Sequence, residues 1–169
     1  MNNAGLDNVI RFFLLLVAQI VIFNKINLFG FITPYPYVLF IILYPINGNK
    51  QYLLLFSFIL GILVDMFCDS GGIHATASLV LAYMRSVLVK FSFGISHNNH
   101  QTIRLNGGIN LEKFIFILIS ITIHHFILFF LEILEFNLLY EIFIRSILSV
   151  AFTFILSIII FYIFKPMKR

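Results

Sequence analysis

The chain has 169 residues, of which 61% are hydrophobic and 11% charged, against roughly 45–50% and about 25% in ordinary soluble domains. That is more apolar side chain than a small globule can bury, and it points to a lipid bilayer. Six helical crossings at about 20 residues each would leave about 49 residues for loops and ends, which excludes a separate soluble domain, while a net charge of +4 made of scattered Lys and Arg excludes a nucleic-acid-binding patch.

The first predicted span runs over about 9–23, closed by Asn24-Lys25. It resembles a signal-peptide core, but no small-x-small cleavage site follows, so it is expected to stay as an anchor. The second, 28–44, holds Pro34 and Pro36 and ends at Pro45. Proline removes a backbone donor and biases the residue before it away from helix, so an extended or re-entrant start followed by a short helix is expected. Non-helical backbone at that depth must be covered by protein. The Asn47-Gly48-Asn49-Lys50 turn leads to a third span at 52–67, which runs into Asp65 and Asp69, and Gly71-Gly72 reverses the chain into a fourth at 73–89. A polar loop over 91–112 follows, then spans at 114–134 and 139–164 flanking an acidic connection with Glu132, Glu135 and Glu141. The expected fold is an all-α polytopic membrane protein, residues 1–169 forming one integral membrane domain of six transmembrane helices, or five if the proline-broken segment does not cross.

Lys and Arg concentrate on cytoplasmic loops. With six spans and the N-terminus inside, Arg11, Lys50, Lys90, Arg104, Lys113, Lys165, Lys168 and Arg169 lie inside, eight in all, against Lys25 and Arg145 outside. With five spans and the C-terminus still inside, Arg11 and Lys25 exchange sides and the count is unchanged. Charge therefore fixes the orientation of the last four spans, with the 91–112 loop and the C-terminus cytoplasmic, but not the first two spans; six spans place the N-terminus in the cytoplasm, and in either case the outer face is acidic.

Among groups that could carry chemistry, Asp65 and Asp69 stand out, because an ionisable group within a span is costly. Four residues apart at one helix end, they stack along one face and reach interfacial water, whereas a catalytic carboxylate pair is brought together from separate elements. His124 and His125 lie mid-span and need partners. Glu132 falls on the helical stripe of His125 and Glu135 on that of His124, a geometry open to a proton path or to simple hydrogen bonding across a helix interface. His97 and His100 lack an evident third metal ligand. Arg85, near the end of its span, is expected to snorkel to the interface or meet lipid phosphate. Cys68 is alone, which leaves no disulfide, redox pair or thiolate cluster. No catalytic, cofactor-binding or metal-binding residue is assigned.

One stretch is more specific. Asn27-Leu-Phe-Gly-Phe-Ile-Thr-Pro-Tyr-Pro-Tyr37, followed by Gly61-Ile-Leu-Val-Asp65-Met-Phe-Cys-Asp-Ser-Gly-Gly72-Ile-His-Ala75, resembles the rod shape-determining protein MreD family. Gly61, Asp65 and Gly72 match its Gly-x-x-x-Asp pattern with a downstream Gly. The resemblance implies a non-enzymatic subunit of the cell-elongation (rod) complex in the bacterial inner membrane, supporting cell shape and sidewall peptidoglycan synthesis. The implied partners are the bitopic protein MreC, the actin-like MreB filament, the elongation glycosyltransferase with its penicillin-binding protein, and membrane lipid. It also implies a fold similar to the six-helix substrate-binding subunits of energy-coupling-factor vitamin transporters, which makes such a transporter subunit the alternative function. Ala18, however, lacks the mate that those subunits' Ala-x-x-x-Ala docking surface requires. Lipoprotein signal peptidase has similar length but places its two aspartates on different helices. Gly61, Asp65, Asp69, Gly72 and Arg85 are the structural or docking candidates. Gly61 offers close helix approach, and the Gly71-Gly72 turn is expected to set the next helix N-terminus beside Asp69.

Overall fold

The computed structural model describes residues 4–30, 32–46, 48–94, 110–133 and 138–163. These form α1 (Ala4–Val21), α2 (Leu39–Leu43), α3 (Lys50–Cys68), α4 (Ile73–Phe93), α5 (Leu111–Ile133) and α6 (Leu139–Ile163). Five of the six are long and apolar enough to cross a membrane, and α2 is the exception with 5 residues. The protein is an all-α polytopic membrane protein. His97, His100, Arg104 and Glu135 lie outside the described residues.

The segment expected as the second span is not one helix. Leu28 and Ile32 exchange backbone hydrogen bonds of 2.9 and 3.0 Å around a tight loop. A stretch without regular secondary structure follows over residues 33–35, then a 3-10 turn at Pro36–Val38 and the short α2. The two prolines account for the break, because neither Pro34 nor Pro36 carries an N–H and each disfavours helix in the residue before it.

This broken segment nevertheless crosses the bundle. The Pro34 carbonyl meets Gln19 near the end of α1, whereas the Leu43 carbonyl meets Arg11 eight residues earlier on the same helix. The Tyr37 hydroxyl meets His74 in the first turn of α4, and the Tyr44 carbonyl meets Arg85 eleven residues later, about 16 Å further along that helix. The segment therefore runs antiparallel to α1 and parallel to α4. Among the described residues, five long helices and one interrupted strip run along the bundle.

Packing explains how such a strip is tolerated. Helices α3, α4, α5 and α6 each lie against the next, α1 lies against α3, and the strip rests on α1, α3, α4 and α6. Every residue from Pro34 to Tyr44 is buried, and Tyr37–Leu43 form the centre of an apolar core with Leu60, Val64, Leu81, Phe116 and Ile121. The outward faces carry large apolar residues such as Phe13, Met66, Val87 and Phe143, as helices bathed in lipid require.

A strip that crosses the membrane as it crosses the bundle gives the chain six passes. A topology reporter inserted after Asn27 should lie on the opposite side of the membrane from one inserted after Asn49. Both reporters on the same side would mean that the strip does not cross.

Candidate functional site

The docking candidates singled out from the sequence gather along α4, with Gly61, Asp65, Asp69 and Gly72 at its start and Arg85 within its second half. At its N-terminus, the Asp65 carboxylate accepts from the backbone N–H of His74 at 2.9 Å and of Ala75 at 2.8 Å, and from the Ser70 hydroxyl. The first N–H groups of a helix have no partner within it. Here a side chain from the preceding helix fills that role, and its negative charge faces the positive end of the helix dipole.

Gly61, one turn earlier on the same face of α3, makes this contact possible. A Cβ at Gly61 would stand 2.4 Å from Ala75 Cα and 2.7 Å from both Ala75 N and His74 O. No L side chain fits, so the glycine lets α3 press directly onto the start of α4. The connection is equally demanding. Asp69 closes α3 in the left-handed region with φ 54°, its N–H bonding to the Asp65 carbonyl, and Gly72 precedes α4 with φ 98°. Asp tolerates that region, and glycine occupies it freely.

The expected pairing of Asp69 with the start of α4 is corrected by this geometry. The capping carboxylate belongs to Asp65, which is buried, while Asp69 is exposed and serves as the turn residue. The two aspartates therefore do not form a stacked pair in interfacial water.

Arg85 departs from expectation as well. It is 5% exposed and lies within the bundle rather than reaching out to lipid phosphate. Its guanidinium donates to the carbonyls of Ile42, at 3.4 Å, and Tyr44, with its charged group 5.9 Å from the Phe116 ring centroid. Arg11 donates to the intervening carbonyl of Leu43 at 3.0 Å. The carbonyls at the end of a five-residue helix have almost no intrahelical partners, and two cations from α1 and α4 satisfy three of them in a row.

The other end of the strip is held by neutral side chains. Gln19 donates to the Pro34 carbonyl at 3.3 Å and accepts from the Tyr37 N–H at 3.5 Å, while the Thr153 hydroxyl accepts from the Tyr35 N–H at 3.1 Å. Pro36 has no N–H to satisfy.

The mid-span histidines complete this arrangement through partners on other elements. His125 Nδ1 lies 2.9 Å from the Ile121 carbonyl, so it carries the proton, and its Nε2 then accepts from the Thr153 hydroxyl at 2.9 Å. The Tyr37 hydroxyl bridges His74 Nδ1 at 3.0 Å and His124 Nε2 at 2.8 Å. Glu132 instead faces Arg145 at 4.0 Å with both side chains partly exposed, a pair of little energetic weight. Among the described residues, no group of three or more His, Cys, Asp or Glu side chains is gathered to hold a metal.

Comparison with family models, curated proteins and solved structures finds no match to this chain.

Sequence reasoning did not reach Tyr37, His74, Gln19 or Thr153. The prolines signalled backbone in need of partners, but the partners come from α1, α4, α5 and α6, up to 118 positions away, with no periodic pattern linking them.

Stability measurements distinguish these roles. Gly61→Ala should cost about 1–3 kcal/mol through forced separation of α3 and α4, and Asp65→Asn about 1–3 kcal/mol through loss of the charged cap. Asp69→Asn, in an exposed turn that Asn also tolerates, should be nearly neutral. Thermal unfolding of the detergent-purified protein reads all three, and equal losses for the two aspartate variants would contradict the assignment.

Proposed function

We propose that this protein is a non-enzymatic integral membrane subunit of the bacterial cell-elongation complex, a member of the MreD family that supports cell shape and sidewall peptidoglycan synthesis by binding an MreC-like bitopic protein. An MreB-like actin homologue and the elongation glycosyltransferase with its penicillin-binding protein are the further partners of this reading. It lies in the inner membrane with both termini cytoplasmic. The end bearing Arg11, Lys50, Lys90 and Lys113 then faces the cytoplasm, and the end bearing Asp69, Glu132 and Glu141 faces outward.

The observation that carries this reading is the use made of its distinguishing motif. Gly61 and Asp65 join α3 to the start of α4, and Gly72 turns the chain between them. A carboxylate already accepting two backbone N–H groups and a hydroxyl serves construction, and a rigid helical hairpin is what a docking subunit needs to present to partners. A second reading, the substrate-binding subunit of a vitamin or other small-molecule transporter, draws on one specific observation, the buried hydrogen-bonded chain of His74, Tyr37 and His124 within the bundle.

Co-purification separates the two. Expressed with a tag in a rod-shaped bacterium and extracted in mild detergent, the protein should carry an MreC-like partner with it, and Asp65→Asn should reduce the recovered partner. Absence of that partner, together with thermal stabilisation by a small vitamin, would move the assignment to the transporter class.

A further inference from the structure

The histidine and tyrosine chain stands directly above a second polar layer with no evident structural use. Ser57 lies one turn below Gly61 on α3, Ser78 one turn below His74 on α4, and Ser120 one turn below His124 on α5. Since Gly61 abuts Ala75 and His74, and Tyr37 joins His74 to His124, the three serines occupy one level around the central strip. All three are at most 1% exposed; the Ser57 and Ser120 hydroxyls have no hydrogen-bond partner, while that of Ser78 lies close to the Tyr37 hydroxyl without a well-formed bond to it.

This differs from several other helical hydroxyls of the bundle, although Ser92, Ser146 and Ser149 also lack partners. Thr76, Thr122 and Ser157 each fold back onto a carbonyl of their own helix, at 2.9, 2.8 and 2.7 Å, the usual resort of a helical hydroxyl. The serines of the layer do not.

An independent feature points at the same level. His124 is wholly buried, and its Nδ1 has no partner although its Nε2 is bonded to Tyr37. Helical side chains lean toward the N-terminus of their helix, which carries the His124 ring over the turn that holds Ser120. The missing partner has a definite chemistry. If Tyr37 donates to His74, it accepts from His124 Nε2–H, and His124 Nδ1 is then a bare acceptor. If Tyr37 donates to His124 Nε2, His124 Nδ1 carries the proton and needs an acceptor. Water serves both cases and can at the same time bond the serine hydroxyls. Of the charged residues, Asp65 and Arg85 are the buried ones among those described. Both are engaged elsewhere, which leaves the layer without formal charge and suited to an uncharged guest.

We propose that Ser57, Ser78, Ser120 and His124 Nδ1 form an internal binding site for water, a small cluster held between the central strip and helices α3, α4 and α5. Buried water typically makes about three hydrogen bonds to polar groups that would otherwise lack partners. This site also brings exchangeable water protons within hydrogen-bond reach of the His124 ring at Nδ1.

The test uses the full chain in lipid bilayers with 15N-labelled histidine, and reads magnetisation transfer from water to each imidazole by solid-state NMR. His125, whose two ring nitrogens are both engaged by protein groups, is the internal control. Transfer to His124 should exceed that to His125 several-fold, and Ser120→Val, which fills the layer with apolar volume, should remove the excess while the His125 resonances stay in place. If that variant does not fold, the double variant Ser78→Ala and Ser120→Ala should reduce the same transfer several-fold. Transfer to His124 no greater than to His125, or a His124 signal unaffected by these changes, would overturn the proposal.

Discussion

Within the hydrocarbon region there is no solvent to bond a free N–H or C=O, so any backbone that leaves the helical pattern must find every partner inside the protein. Two prolines impose such a departure on Pro34–Tyr44, and the rest of the bundle is arranged around that need. Gln19 and Thr153 receive the irregular end, Arg11 and Arg85 receive the carbonyls of Ile42, Leu43 and Tyr44, and apolar side chains from α3, α4 and α5 pack around the rest. The five long helices form a sheath, and the interrupted strip is its filling.

Helix α4 links this arrangement to the motif that carries the family resemblance. Its first turn is capped by Asp65 and pressed against Gly61, which fixes its height and rotation relative to α3. The same helix then carries His74 to Tyr37 and Arg85 to the far end of the strip. A shift of α4 along its axis would break contacts at both ends together, because a guanidinium aimed at carbonyls and a carboxylate aimed at N–H groups are both sensitive to displacements below an ångström. The strong polar contacts of the protein are thus internal, while its outward faces are apolar and suited to lipid or to partner helices.

Much of the fold was legible in the sequence for simple reasons. Apolar runs of membrane length marked the five long helices, Asn49 and the paired glycines marked their turns, and Pro34 with Pro36 marked the broken traverse. The role of Gly61 as a point of close approach was also visible from its place four residues before Asp65. What escaped was tertiary. Asp65 rather than Asp69 caps α4, because the turn places Asp69 in a left-handed conformation on the surface and leaves the earlier carboxylate facing inward. Arg85 was read as reaching outward because its position near a helix end permits snorkelling, whereas the carbonyls that hold it belong to a segment 41 to 43 positions earlier in the chain. The histidine pair was read against acids on its own helix, and its partners lie on the strip and on α6.

The central claim is that an interrupted strip crosses the bundle as a fully bonded, buried element. Hydrogen–deuterium exchange of the bilayer-reconstituted protein tests it directly, through the backbone amides of Tyr37–Leu43. They should be protected as strongly as the interior amides of α4 and α5, because their N–H groups are paired and sheathed from water. Exchange as fast as that of the exposed turn at Gly48 and Asn49 would show that the strip is an open loop, and would contradict the account.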